Sequence, residues 1–190
     1  MKKELIKNGF IIGIIILLAC FVTFKIYNKF HGERSVDYSS KSLDVVFHEN
    51  TGDKIILDKA TPLTDNLGLA TKSYTFTITN NLTEEVPITI KLVNDEEAIN
   101  DMKCDQGKCD EVLIPKKDLK VSIKENNGKN QVFALEELKD DVLLDTNIDA
   151  LDENTYTIRV WVKDDVELDS NLKYYGKIQV VEDNNILARR

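Results

Sequence analysis

The sequence predicts a mainly β protein: an N-terminal transmembrane helix followed by an antiparallel β-sandwich of immunoglobulin-like or jelly-roll type. Three observations carry this. Gly9–Phe24 is a run of sixteen residues without a charge. From Leu43 onward the hydrophobic residues recur with period two, the signature of strands with one face on a core and one in water. Turn signals punctuate these runs at short intervals, as in two-sheet sandwiches. The 42% hydrophobic and 31% charged content of the 190 residues fits a folded domain plus an apolar segment. The implied organisation is a short basic tail (1–8), a membrane segment (9–27), a polar stalk (28–42) that holds the domain clear of headgroups, the sandwich (43–183) and a C-terminal tail (184–190).

The N-terminal run, GFIIGIIILLACFVTF, reaches nineteen residues when Lys25-Ile26-Tyr27 is added. A bilayer needs about 20 mostly apolar residues, and a terminal lysine can snorkel to the interface. The run has no polar face, which argues against a buried core helix. Lys2, Lys3 and Lys7 flank one end and Lys25, Lys29 and Arg34 the other, so flanking charge nearly ties. A single-pass signal anchor with the N-terminus inside and the C-terminal domain extracellular is preferred, because a short basic tail is the usual inner flank. Three other fates stay open. A cleaved secretory signal lacks a good A-x-A site after the run. Leu17-Leu18-Ala19-Cys20 resembles a lipobox, with Cys20 as the lipidated residue. Lys7-Asn8-Gly9-Phe10 resembles a prepilin junction, although Ile14 stands where prepilins usually place Glu.

The strands follow in order. Leu43–His48 and Lys54–Asp58 are short runs. Tyr74, Phe76 and Ile78 alternate with Thr75, Thr77 and Thr79; Val86, Ile88, Ile90 and Leu92 alternate with Pro87, Thr89 and Lys91. Asn80-Asn81 between them reads as a hairpin turn. Leu119–Lys124 and Gln131–Ala134 flank Asn126-Asn127-Gly128, where Asn-Gly favours a type I′ hairpin. Tyr156–Val162 and Tyr174–Val181 complete the set. Helix is minor, a turn or two at Asp95–Met102 and at Leu135–Leu138.

Ser73–Asn81 (SYTFTITNN), Ala60–Leu69 (ATPLTDNLGL), Asn154–Val162 (NTYTIRVWV) and Tyr174–Val180 (YYGKIQV) stand out as a set. Together they resemble TasA/camelysin-like surface β-sandwich proteins of Gram-positive bacteria. The resemblance implies a secreted or surface-tethered structural protein, in some members a matrix-fibre subunit. Members usually carry a cleaved signal peptide, so the uncleaved-looking anchor departs from the pattern. No functional residue transfers.

Charge and motif content narrow the function. Residues 1–34 hold six basic and two acidic residues, net +4, leaving 19 basic and 31 acidic, net −12, in 35–190. So acidic a domain repels phosphate backbones, and nucleic-acid binding is not expected. The histidines are His31, in the stalk, and His48, in a strand; no HExxH motif occurs, and any Ser/His/Asp site would need His48 as base. The eight glycines are scattered, with no phosphate-binding loop. No enzyme and no cofactor are therefore expected. Cys104 and Cys109 enclose four residues, a spacing that closes a small disulfide outside a membrane; free thiols or a metal pair are the alternatives. Asp145, Asn147 and Asp149 place oxygen ligands at alternate positions, as at the start of a calcium loop, but Ala150 stands where the loop needs Gly and Tyr156 where it needs Glu, so a solvated acidic loop competes. Parity puts Arg159 and Trp161 on the outward face of their strand, and Tyr175 with Lys177 on the last, a weak interface signal unless a loop covers that face. The expected role is structural or protein-binding at the cell envelope. The expected partners are the membrane and either an envelope protein or the chain itself. A fibre subunit released by N-terminal processing and a Cys20-anchored lipoprotein are the alternatives.

Overall fold

The computed structural model describes residues 42–101, 113–169 and 171–182. The anchor segment, Cys20, His31, the stalk up to residue 41, Cys104, Cys109 and the C-terminal tail lie outside them. Among the described residues no helix is long and apolar enough to cross a membrane.

Nine strands form among the described residues: β1 (Leu43–Phe47), β2 (Lys54–Asp58), β3 (Tyr74–Asn80), β4 (Val86–Asn94), β5 (Leu119–Glu125), β6 (Gln131–Ala134), β7 (Val142–Ile148), β8 (Glu153–Val162) and β9 (Lys173–Glu182). Two short helices, α1 (Asp65–Gly68) and α2 (Glu96–Asn100), sit in the connections. The strands make two antiparallel sheets, ordered β1-β3-β8-β5-β6 and β2-β9-β4-β7. The alternation seen in sequence becomes burial: Tyr74, Phe76 and Ile78 of β3 and Val86, Ile88, Ile90 and Leu92 of β4 point inward. Inward side chains of both sheets join one apolar cluster. Phe47, Phe76 and Tyr156 stack through its centre, with ring centroids 5.4 and 5.5 Å apart.

The expected Asn80-Asn81 hairpin is overturned. β3 and β4 belong to different sheets, and residues 81–85 cross between them. Stacked sheets lie about 10 Å apart, a gap that five residues span easily but a two-residue turn does not. The β5–β6 hairpin does form at the expected place. Gly128 N donates to Glu125 O at 2.8 Å, and Asn126 is the residue in the left-handed region (φ 45°), not the Asn127-Gly128 pair a type I′ turn would use. The strand β7 was not expected: its Asp145 and Asn147 read as loop ligands.

Register fixes which connections share an end. Leu43 pairs with Asn80, Thr79 with Glu153, Val86 with Ile148 and Ile88 with Glu182. Ser42 Oγ donates to Glu182 Oε2 at 2.5 Å, so the chain enters and leaves the sandwich at one end. The connections at that end are the short ones, 81–85, 126–130 and 149–152. The connections at the opposite end are 48–53, which leaves β1 beside the first residues of β3, then 59–73 and 135–141, and the described parts of the other two, 95–101 with 113–118 and 163–169 with 171–172.

Candidate functional site

Two clefts lined by described residues open at this second, loop-bearing end. The first, of about 260 Å³, lies between the end of β2, the start of β3 and the end of β8. Its apolar floor includes Leu57, Tyr74, Val160 and Val162. Tyr74 OH donates to Ile56 O at 3.2 Å, and Lys72 Nζ sits 4.7 Å from the Tyr74 ring centre and 3.8 Å from Glu49. Burial raises the Tyr74 pKa, against the bond to the Ile56 carbonyl, which lowers it. Lys59, on the rim, takes a left-handed backbone (φ 54°).

The segment from Ala60 to Lys72 explains where Trp161 goes. Leu63 N donates to Val162 O at 3.0 Å, and Pro62 bridges Val162 in parallel, so the chain runs along the end of β8. It then folds α1 over the outer face of that strand. A Cβ on Gly68 would fall 2.3 Å from Trp161 Cδ2 and Cε2, so only glycine allows the helix to lie this close to the indole. Thr71 Oγ1 donates to Gly68 O at 2.7 Å, and Arg159 Nε donates to Thr71 O at 3.3 Å. Trp161 is only 2% exposed. Its outward parity holds, but α1 covers it, so Trp161 is not a surface contact residue. Arg159 is half-buried and engaged by the same segment.

The calcium-loop expectation meets a different geometry. Asp145 and Asn147 lie on strand β7, with Asp149 in the turn beyond it. Alternate side chains on a strand stand about 6.6 Å apart along it, so they do not converge as loop ligands do. Asp145 Oδ1 instead accepts the Thr89 hydroxyl at 2.6 Å across the strand pair. Among the described residues no group of three His, Cys, Asp or Glu side chains is placed to hold a metal. His48 Nε2 lies 2.9 Å from Thr77 Oγ1 on the neighbouring strand.

The second cleft, of about 280 Å³, opens where β4 leaves the sheet. Asn94, the last residue of β4, pairs with Gly176, and Asp95 N donates to Tyr175 O at 3.0 Å before the chain turns into α2. Two residues back along β9 a different segment takes over: Leu113 bridges Lys173, and Ile114 N donates to Lys173 O at 2.8 Å. The two segments diverge, and the cleft lies between them. Ile99, Leu113, Ile114 and Pro115 supply apolar walls, with Tyr174 and Tyr175 from β9 and Asn94 and Lys116 as polar members. Tyr175 is thus half-buried at the cleft, while Lys177, beyond it on the outward face, faces Asp53 at 3.4 Å.

No protein-family model matches the chain, and no match is found among curated proteins or among solved structures.

Two features of the second cleft escape sequence reading. Lys116 Nζ contacts Asp141 Oδ1 at 2.6 Å, across 25 residues of chain. Tyr174 is 3% exposed, and among the described residues its hydroxyl has no hydrogen-bond partner. Burial, then the charge of Asp141, pushes its pKa well above the usual tyrosine value, so the hydroxyl keeps its proton. The one available signal was parity: Tyr174 falls on the inner face of β9, where a phenol hydroxyl needs a partner.

Proposed function

We propose that this chain is a single-pass membrane protein that presents an extracellular jelly-roll sandwich to a partner protein of the cell envelope. The role is binding, not catalysis. The observation that carries the reading is the sorting of connections by end. The chain enters and leaves at Ser42 and Glu182, while the long connections and both clefts lie at the other end. The long connections and the clefts are therefore read as the partner-binding end, opposite the end at which Ser42 enters the sandwich. The strand order supports the jelly-roll choice over the immunoglobulin-like one: every connection except the β5–β6 hairpin passes between the sheets.

Fractionation tests the anchor. The full chain should pellet with membranes and resist high salt, and removal of residues 1–41 should release it; recovery of the intact chain in the soluble fraction would overturn the anchor. The LLAC sequence ending at Cys20 favours a second reading, a lipoprotein, and intact mass separates the two: a retained anchor leaves the full-length mass, lipidation at Cys20 removes residues 1–19.

A further inference from the structure

The geometry points to a binding site for a doubly charged oxyanion, a sulfate or phosphate group, on the outer face of the five-stranded sheet between Arg159 of β8 and Lys124 of β5. Register places these residues. Ser122 pairs with Arg159 and Lys124 with Thr157, so the four are the corners of one outward-facing patch. Diagonal neighbours on a sheet face lie about 7–8 Å apart, within reach of long side chains, so Arg159 and Lys124 can both close on one group above the patch. Neither cation has a carboxylate. The half-buried lysines Lys54, Lys116, Lys120, Lys163, Lys173 and Lys177 each contact one. Among the described residues the half-buried cations that contact none are Lys91, on the other sheet, and Arg159 and Lys124, which are neighbours. Two unpaired cations side by side repel each other, although residues 35–190 carry a net charge of −12 and have acids to spare. Asp65, which α1 brings to this face, is closed on Lys120 at 2.7 Å. Arg159 is also held in place: its Nε donates to Thr71 O at 3.3 Å, which leaves the two terminal nitrogens for a ligand. Thr157 is partly exposed and makes no side-chain hydrogen bond among the described residues, so its hydroxyl is a further donor. Ser122, at the fourth corner, is fully enclosed and takes no part. A guanidinium, an ammonium and a hydroxyl suit a phosphate or sulfate group, whereas a carboxylate carries one charge and would neutralise one of the two cations. The site is independent of the anchoring and of the protein partner proposed above.

The test uses the full chain in an uncharged detergent, with the backbone amides of Lys124 and Thr157 and the Nε–H of Arg159 followed by NMR. Sodium sulfate, sodium phosphate and sodium acetate are titrated at an ionic strength held constant with sodium chloride, so that screening does not change. Sulfate or phosphate should shift these resonances saturably, and the tighter of the two names the group. The amide of Lys91, the lone unpaired cation on the other sheet, should not follow. Lys124→Gln should weaken the binding about tenfold. Arg159→Lys keeps the charge but loses the planar fork, and it should weaken the binding too. If Arg159→Lys disturbs α1 through the lost bond to Thr71, Lys124→Gln still decides, because the Lys124 side chain makes no ion pair or hydrogen bond among the described residues. Shifts that fail to saturate, acetate binding as tight as that of the dianions, or an affinity that Lys124→Gln leaves unchanged each overturn the site.

Discussion

Asn80 shows how much one side chain decides at the end where the chain enters. It is 1% exposed, and its Nδ2 donates to the carbonyls of Glu84, Ile148 and Asp149 at 2.8, 3.1 and 3.0 Å while Oδ1 accepts from Leu82 N at 2.9 Å. One residue thereby ties the β3–β4 crossing to the β7–β8 turn. Asn80→Ala would leave these groups without partners in a buried place, and a loss of about 2–3 kcal/mol in chemical denaturation is expected. Tyr156 makes a second such point in the core. Its hydroxyl donates to Glu125 Oε1 at 3.0 Å, the same oxygen that takes Asn154 Nδ2. Burial, then the Glu125 charge, raises its pKa above the ordinary value of 10.0. A raised pKa means the folded state holds its proton more tightly, so this contribution is complete below pH 10 and is lost as pH rises above it. Stability should therefore fall above pH 10, with Tyr156 adding up to about 1.4 kcal/mol per pH unit, and Tyr156→Phe should flatten that slope in pH-dependent denaturation. Sequence parity placed Tyr156 inward; that Glu125 would sit beside it came from the β5–β8 register.

The contact between α1 and β8 is the clearest case at the level of elements. The sequence reads Trp161 as outward-facing, which is locally correct, and assigns Gly68, in α1, no role. Their meeting depends on 93 positions of separation, which no local pattern encodes. Gly68→Ala should force the helix off the indole at a cost of about 1–3 kcal/mol. Tryptophan emission reports it directly, since Trp161 is the sole tryptophan of the chain: a shift to longer wavelength is expected as the ring becomes hydrated. An unchanged spectrum with unchanged stability would show that α1 does not cover the ring. The strand β7 was missed for a related reason. Its outward positions Asp145 and Asn147 are polar, and the register shift opposite Ile90 and Lys91 disturbs the alternation at its start.

For the sandwich as a whole, the decisive property is polarity from one end to the other. The short connections 81–85, 126–130 and 149–152 surround the entry point, and the long connections that follow β2, β4 and β8 leave from the opposite end. A photocrosslinker placed at Thr61 or Lys117, both exposed at the loop-bearing end, should capture the envelope partner, while one at Asn127, exposed in the β5–β6 hairpin, should not. Capture through Asn127 alone would reverse the proposed orientation. The net charge of −12 in residues 35–190 predicts that a basic partner would associate faster at low salt, with screening beyond about 10 Å at 0.1 M ionic strength.

By itself the sequence determined where most strands run and which side of each faces the core, because a period of two is a local property of the chain. It located the β5–β6 hairpin for the same reason: both strands and their turn lie within sixteen residues, 119–134. Only the tertiary structure decided that β3 and β4 part into different sheets, that α1 closes over Trp161, and that Tyr174 faces a split between β4 and the 113–116 segment. Each of these depends on residues far apart in the chain. Alternation specifies a face and leaves the partner open, and the partner is chosen by packing both sheets against one core.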